Sequence, residues 1–341
     1  MSARRRLEAS ARIGFERLPE RTRLALRDAV NDVRGLRQIK RNQAVLARRL
    51  ADVEAQLRAR SGHGTGPTGP ADARFPDGIR SRVCTAEQFD EPWYATWCER
   101  LGEVPRTNRK QWEHAYIARA ADEVGVVRPG TRALGFGVGQ EPLVAFLAGQ
   151  GVEVVATDLD LEDDGSLVWH NTGQHASSLD PLRRPALCPD GRFDELVSWR
   201  PVDMRSVPTD LVDFDLCWSS CCFEHLGSLD AGLAFVEASL GTLRPGGVAI
   251  HTTEFNLSSD DATIDHGSVV LYRRRDLEAF TARMEAAGHE VAALDLAPGT
   301  GVLDEFVDVP PFVDDPHIRI ALRGHVGTSV ALVIRKAGGS A

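Results

Sequence analysis

This 341-residue chain lacks several features that would point to common protein classes. Its six cysteines are irregularly spaced and contain no C-x-x-C pair, which argues against a disulfide framework or a zinc site. No apolar run reaches membrane-spanning length, and no apolar signal-peptide core follows the N-terminal arginines, so we expect a soluble cytoplasmic protein. Lysine is scarce, with three copies against 37 arginines, an imbalance that we attribute to codon usage.

A glycine-rich turn is the most informative pattern that is present. Three alternating glycines follow a short apolar strand and precede a helical pattern over residues 141–148. They are Gly135, Gly137 and Gly139. Because glycine has no Cβ, such a turn bends sharply and brings backbone N–H groups against a ligand. The next predicted strand ends at Asp158, whose carboxylate can accept hydrogen bonds from ribose hydroxyls, so this combination predicts a nucleoside-containing cofactor.

The glycine spacing and four later segments narrow the choice of cofactor. The turn reads G-x-G-x-G rather than the G-x-G-x-x-G of dinucleotide binders, and no Walker Gly-Lys-Ser/Thr follows it. The later segments are residues 202–208, 214–220, 222–226 and 243–250. In this order they resemble the class I S-adenosylmethionine-dependent methyltransferases, over about two thirds of the chain. The resemblance implies an α/β fold with a Rossmann-like, doubly wound sheet of seven strands, and S-adenosyl-L-methionine as the cofactor.

The resemblance also implies which residues contact the cofactor. In the family, the glycine turn holds the amino-acid end, acids after the second and third strands hold the ribose and the adenine, and the fourth strand opens onto the methyl group. The corresponding residues are Gly135, Phe136, Gly137, Gly139, Asp158, Asp203, Met204 and Ser219. The family often has an Asp or Glu at the position of Ala133, so the cofactor's ammonium group must be held elsewhere, by backbone carbonyls or by the preceding helix.

Acidic and imidazole side chains follow the fourth and fifth predicted strands, where the methyl group is expected. The candidate catalytic residues are His225, Glu224, His251 and Glu254. Transfer to a hydroxyl needs alignment and a base, and an imidazole can accept a proton near neutral pH, so His225 is the predicted base. The Glu-His pair resembles the E-x-x-E-H motif of metal-dependent O-methyltransferases, but Cys221 replaces the first glutamate and we expect no metal. The alternative is that the pair only caps and packs a helix.

Two other regions are candidates for the acceptor pocket. The predicted helix before the first strand contains Lys110, Trp112 and Tyr116, which either line the pocket or pack the helix onto the sheet. The connection between the second and third strands, residues 161–195, is long and contains His170 and His175. Either these histidines line the acceptor site, or they are exposed loop residues.

The N-terminal part of the chain differs from the rest in charge. Residues 1–60 carry a net charge of +9, and the remaining 281 residues carry −18. Apolar residues recur at heptad spacing over residues 36–57, interrupted once by glutamine, at Leu36, Ile39, Gln43, Leu46, Leu50, Val53 and Leu57. We therefore expect a basic helical arm that forms a coiled coil and oligomerises the protein. The alternatives are that the arm docks onto an acidic surface such as a membrane, or that it is disordered.

The domain organisation follows from these patterns. Residues 61–80, rich in glycine and proline, read as a flexible linker between the arm and the remaining chain. Residues 81–125 read as a helical cap, and residues 126–336 as the methyltransferase domain.

These observations favour an enzyme that O-methylates a small hydroxylated metabolite or a glycan. Two alternatives remain: a binding or scaffold protein that keeps the cofactor fold without catalysis, and a methyltransferase acting on nucleic acid or protein held by the basic arm. The acidity of the remaining chain argues against nucleic acid, because a phosphate backbone usually needs a basic surface.

Overall fold

The structure is a computed structural model that describes residues 20–61, 74–160, 176 and 178–338. The two histidines suggested for the acceptor pocket, His170 and His175, lie outside the described residues. The arm is a 42-residue helix, α1 (Glu20–Ser61). Within the predicted linker, Phe75 and Ile79 are already buried in the core of the protein, so the packed part of the chain begins before residue 81.

Two helices precede the central sheet, α2 (Pro92–Arg100) and α3 (Arg109–Glu123). Asn108 caps α3, because its side chain accepts a hydrogen bond from the backbone N–H of Lys110 at 2.9 Å. Trp112 and Tyr116 lie one turn apart on α3, fully buried, with their rings stacked at 5.0 Å. Trp112 donates to Gln88 Oε1 at 2.7 Å, so these two aromatics pack the helix rather than line an open pocket.

Nine strands of the described residues form one sheet. Its parallel strands are β2 (Arg132–Phe136), β3 (Glu153–Asp158), β4 (Val197–Pro201), β5 (Phe214–Ser220) and β7 (Leu243–Asn256). Its C-terminal strands are β9 (Glu290–Val291), β11 (Val307–Asp308), β12 (Arg319–Leu322) and β13 (His325–Arg335). The order is β11-β12-β13-β7-β5-β2-β3-β4, with β13 antiparallel to both of its neighbours and β9 paired to β13.

The remaining elements cover this sheet. The helices are α4 (Leu143–Gly149), α5 (Asp190–Leu196), α6 (Leu229–Gly241), α7 (Arg274–Ala286) and α8 (Val302–Glu305). Two short strand pairs join β1 (Ser81–Arg82) to β10 (Leu294–Asp295), and β6 (Gly227–Ser228) to β8 (His266–Gly267).

Both faces of the sheet are buried, which explains why its strands are almost continuously apolar. Alternate residues point to opposite faces: Ala133 and Trp218 belong to the apolar cluster with α3 and α4, whereas Leu134 and Cys217 belong to the cluster with α6 and α7. Helices on both faces of a mainly parallel sheet make the doubly wound α/β architecture, and the predicted fold class is confirmed.

The sixth strand is not where the sequence pattern suggested. We expected it near residues 290–294, but there the chain forms only β9, which pairs with the end of β13. The position beside β13 is taken by β12, which reaches β13 through the two-residue turn Arg323-Gly324, and β11 lies outside it at the edge. Both turn residues have positive φ, +47° and +86°, as a type I′ hairpin turn requires.

Helix α1 contacts the remaining chain through the face beside its apolar seam. Lys40 is buried and pairs with Asp308 at 3.1 Å, Ala44 and Ala47 are buried, and Glu54 accepts a hydrogen bond from the Val302 backbone N–H at 2.9 Å. The apolar heptad residues point elsewhere and are 46–58% exposed. None of the described helices is long and apolar enough to span a membrane.

Candidate active site

The glycine turn lies between β2 and α4, with Gly137 and Gly139 at φ +58° and +50°. A Cβ on Gly135 would lie 2.4 Å from the Trp218 indole, and a Cβ on Gly137 would lie 2.8 Å from Cys222 Sγ. Both glycines are therefore required by the packing of the turn against the end of β5. Substitution of Gly137 would disturb the local structure as well as any ligand, so it is a poor probe of binding alone.

Asp158, at the end of β3, holds the neighbouring backbone together. Its carboxylate accepts hydrogen bonds from the backbone N–H groups of Gly139, Leu159 and Ala176, at 3.1, 2.9 and 3.2 Å. We expected the carboxylate to serve the ribose with little effect on the protein without ligand. These three backbone partners give Asp158 a structural role as well, because removal of its carboxylate would leave the three amide groups without this acceptor.

The other predicted cofactor residues fall into two groups. Asp203 and Met204 follow β4, and Met204 Sδ lies 3.6 Å from where a Gly137 Cβ would be, so both lie beside the glycine turn. Partial burial would raise the pKa of Asp203, but hydrogen bonds from Arg205 outweigh it and lower that pKa. The side chains of Phe136 and Ser219 point into the core on the α6 face, so contact with a cofactor there would involve their backbone.

His251 lies in the core, apart from the other candidate catalytic residues. Its ring is fully buried, with Nδ1 2.8 Å from Ser219 Oγ and Nε2 3.0 Å from Ser239 Oγ. Burial lowers its pKa to about 3, which keeps the ring neutral. Since both ring nitrogens already have hydroxyl partners, His251 is assigned a structural role and no part in the methyl transfer.

An ion cluster joins α3 to the ends of β5 and β7. Arg109 lies 2.7 Å from Glu254 Oε1 and 3.5 Å from Glu113 Oε1, and Lys110 lies 3.4 Å from Glu113 and 3.6 Å from Glu254. The Cys221 thiol, whose residue has φ +48°, donates to Glu113 Oε1 at 3.1 Å. Arg109, Glu113 and Glu254 are all buried.

Glu113 is ionised by its partners despite complete burial. Burial alone would raise its pKa, but Lys110 and Arg109, with hydrogen bonds from Ser329 and Cys221, lower it to about 2. Its other oxygen accepts hydrogen bonds from the Ser220 and Thr252 hydroxyls, both at 3.1 Å. The sequence reasoning did not identify Arg109 or Glu113; their i,i+4 spacing on the predicted helix was the available signal.

Glu224 and His225 are neighbours in a short 3-10 helix that follows β5, Phe223–His225. Glu224 is fully buried, which raises its pKa; Oε2 accepts from the Thr253 hydroxyl at 3.0 Å, and no described residue donates to Oε1. His225 Nε2 lies 3.7 Å from that oxygen. His225 Nδ1 is 2.6 Å from the Ser268 carbonyl and must donate to it, which leaves Nε2 as the proton acceptor of the neutral ring.

The same place offers a possible ligand set for a cation. One atom each of Cys221, Glu224 and Glu254 lies within 4.8 Å of the others. Two oxygens and a thiol are a poor set for a hard divalent ion, which prefers six or more oxygens. Arg109 and Lys110 already lie against Glu254 and repel a further cation.

Glu141 is a further buried carboxyl, placed directly after the glycine turn. Its Oε1 accepts a hydrogen bond from Trp218 Nε1 at 2.5 Å, and its Oε2 lies 3.9 Å from His114 Nε2. Burial raises the pKa of Glu141 to about 8. The sequence reasoning did not identify this residue, because it reads as the ordinary first turn of the following helix.

Comparison with known proteins gives structural matches only. No protein-family model matches the chain, and no curated protein matches it. Similar solved structures include the methyltransferase domain of bacterial CtHen1, with 14% identity, 67% of this chain and 100% of that chain covered, and a TM-score of 0.41. CalS10, an amino pentose methyltransferase from Micromonospora echinaspora, has 18% identity and a TM-score of 0.36, with 66% of this chain and 92% of that chain covered. The cyclase SpnF has 15% identity and a TM-score of 0.43, with 86% of this chain and 96% of that chain covered.

The fold is that of the class I methyltransferases. The strand order, with one antiparallel strand inserted beside β7, is the feature that defines it here. The residues around the glycine turn also fit S-adenosylmethionine, because carboxylates end β3 and follow β4 as acceptors for ribose and adenine.

Proposed function

We propose that the protein is an S-adenosylmethionine-dependent methyltransferase that acts on a hydroxyl of a small metabolite or glycan. The observation that carries this proposal is the Glu224–His225 pair, at the end of the strand that borders the glycine turn. It combines a buried carboxylate oxygen that no described residue satisfies with an imidazole whose tautomer is set by Ser268. Such a pair suits a hydroxyl, which can donate a hydrogen bond and then lose its proton.

The residues divide the work between orientation and proton transfer. Bound S-adenosylmethionine would supply an electrophilic methyl group and leave as S-adenosylhomocysteine. Glu224 Oε1 and Glu254 Oε2, both buried and without a donor among the described residues, would accept hydrogen bonds from hydroxyls of the acceptor. The proton of the reacting hydroxyl passes to His225 Nε2, and Glu224 at 3.7 Å stabilises the resulting imidazolium. The His225 side chain is 23% exposed, so this proton can then pass to water.

A His225→Ala variant tests the assignment. With a panel of sugars, polyols and phenols as acceptors, release of S-adenosylhomocysteine should fall by about 10²–10⁴-fold, while cofactor affinity stays unchanged. Full activity of the variant would refute His225 as the base, and chelator inhibition reversed by magnesium would favour a metal mechanism.

A binding protein without catalysis is the second candidate, and Ala133 is the observation that favours it. A protein that had lost the family's acid at this position could have lost the cofactor with it. Calorimetry separates the two, since a scaffold of this kind would show no heat with S-adenosylmethionine at any pH. Methylation of nucleic acid or protein held by the basic arm remains a third possibility, favoured only by the +9 charge of residues 1–60.

For the arm we propose pairing with a second copy of the chain. The exposed seam is self-complementary at heptad spacing, and its one polar position, Gln43, would face the same residue of an in-register partner. In a parallel pair, Arg49 of one helix would also approach Glu54 of the other. No described residue covers the seam, because α1 docks on the remaining chain through the residues beside it, Lys40, Ala44 and Ala47.

Substitutions on and off the seam test this pairing. The double change Leu46→Glu with Leu50→Glu should reduce the mass measured by light scattering to that of one chain. Val45→Glu is a matched control, since Val45 is 52% exposed but lies off the seam. Unchanged mass in the double variant would refute pairing; binding of the monomer to vesicles with anionic lipid would favour membrane docking instead.

A further inference from the structure

Glu141 and Ala133 lie on the same face of the sheet. Ala133 and Gly135 of β2 point toward α3 and α4, as does Trp218 of β5, which is paired with Gly135. The Trp218 indole lies over Gly135, and its Nε1–H donates to Glu141. Glu141, directly before α4, thus lies on the same face of the sheet as Ala133 and next to the glycine turn.

Among the described residues, none places a positive charge against Glu141. Trp218 is a neutral donor, and burial lowers the pKa of the nearby His114, which keeps that ring uncharged. The carboxylates of Glu113 and Asp158 act in the same direction as burial and raise the pKa of Glu141 further. None of the described lysines or arginines forms an ion pair with it, in contrast to Glu113 and Glu254. An ionised Glu141 therefore has no cationic partner among the described residues, and a bound cation would supply one.

His114 supplies a second indication of a ligand at this place. Its Nδ1 is buried without a hydrogen-bond partner among the described residues, while its Nε2 lies against Glu141. A buried polar atom without a partner costs free energy unless a ligand or water satisfies it. Glu141 and His114 are therefore two buried polar side chains in contact with each other, and the histidine keeps one ring nitrogen without a partner among the described residues.

We propose that Glu141 holds the ammonium group of the cofactor's amino-acid part, in place of the acid that is missing at Ala133. The proposal rests on the proposed function, since it needs a cofactor in the glycine turn. The ammonium group donates to the Glu141 carboxylate, which must then be ionised. Without ligand at neutral pH, the Glu141 carboxyl is mainly protonated. Binding of the ammonium group therefore releases the carboxyl proton to the solvent.

This proton release makes cofactor affinity depend on pH. Below pH 8 the protonated carboxyl of Glu141 must lose its proton before it can bind the ammonium group. The affinity for the cofactor should therefore rise with pH, by up to tenfold per pH unit between about pH 6 and 7.5. Near pH 8 the rise should level off, because Glu141 is then largely ionised without ligand. The groups that face Glu141 are His114 and Glu113 on α3, Asp158 on β3 and Trp218 on β5.

The test compares two ligands and two variants of the full chain by calorimetry. S-adenosylhomocysteine carries the ammonium group, and 5′-methylthioadenosine keeps the nucleoside but lacks it. Glu141→Gln retains an acceptor for Trp218 and should fold; it should bind S-adenosylhomocysteine about 10–100-fold more weakly. It should bind methylthioadenosine like the wild type. Glu153→Gln, at an exposed acid of β3, should change neither affinity.

Three results would overturn the proposal. Equal affinity of Glu141→Gln and the wild type for S-adenosylhomocysteine, with the same pH profile, would remove Glu141 from the ammonium site and leave the proposed function intact. Equal weakening of both ligands would show that Glu141 only supports the turn. Absence of wild-type binding to either ligand would refute the proposed function and this inference together. Loss of the pH dependence in Glu141→Gln, with methylthioadenosine binding retained, is the result that we expect.

Discussion

Glu113 and Glu141 are two glutamates buried near the same edge of the sheet, yet they are held in opposite protonation states. Glu113 lies between Arg109 and Lys110 and receives hydroxyl and thiol hydrogen bonds, and its pKa falls to about 2. Glu141 has an indole and a neutral histidine as neighbours, and its pKa rises to about 8. Burial is common to both, so the partners decide the charge. The comparison separates a site already neutralised by the protein from one that awaits a cation.

The largest effect is expected from Glu113→Gln. This change leaves Arg109 and Lys110 with less compensating charge in a buried cluster and should destabilise the protein by about 3–5 kcal/mol. Urea unfolding at pH 7 measures it, with Glu153→Gln as a control expected within about 0.5 kcal/mol of the wild type. A Glu113 variant as stable as that control would contradict the account of the cluster.

The pH dependence of stability should have opposite signs at the two glutamates. The lowered pKa of Glu113 stabilises the fold above the unfolded-state value of 4.5, and this contribution is lost as pH falls toward 2. The raised pKa of Glu141 does the reverse: its contribution is greatest below pH 4.5 and is lost as pH rises toward 8. Glu141→Gln should therefore gain stability relative to the wild type between pH 5 and 8. A stability difference that stays constant over this range would show that Glu141 is already ionised without ligand.

Asp158→Ala should have an intermediate effect, because Asp158 is bonded to backbone rather than to a cation. Loss of its hydrogen bonds to Gly139, Leu159 and Ala176 should cost about 1–3 kcal/mol without ligand and should also weaken binding of methylthioadenosine. Thermal unfolding and calorimetry measure the two effects. Unchanged stability would confine Asp158 to a ligand role, whereas unchanged nucleoside affinity would confine it to the structural one.

The smallest effect on stability is expected from the His225→Ala change. His225 is partly exposed, so the free energy of unfolding should change by about 1 kcal/mol or less. Its effect should appear in turnover instead, which would distinguish the base from the buried ions around it. A loss of several kcal/mol would make His225 a structural partner of Glu224 and remove the reason for assigning it the chemistry.

The parts of this arrangement that could be read from the sequence are those fixed by local patterns. The glycine turn, the acid at the end of β3 and the apolar strands predicted the doubly wound sheet, because each depends on residues close together in the chain. The heptad spacing likewise indicated a helical arm. Its docking through Lys40 and Ala44 could not be predicted, since it depends on contacts with residues some 260 positions away, such as Asp308.

The protonation states could not be predicted from the sequence for the same reason. Glu113 lies within α3 and Glu141 lies directly before α4, and their charges are set by Ser329, Trp218 and other residues on distant strands. His251 illustrates the converse. It resembled a candidate base at the end of a strand, and only the structure shows two serine hydroxyls on its ring nitrogens.

Calorimetric titration of the full-length wild type with S-adenosylhomocysteine tests the central claim most directly. Measured at pH 7 in two buffers of different ionisation enthalpy, it reports both binding and the protons exchanged. The account predicts saturable binding of one ligand per chain, with net release of protons that disappears in Glu141→Gln. Absence of binding heat in the wild type in both buffers would contradict the assignment of the glycine turn as a cofactor site, and the proposed methyltransferase activity with it.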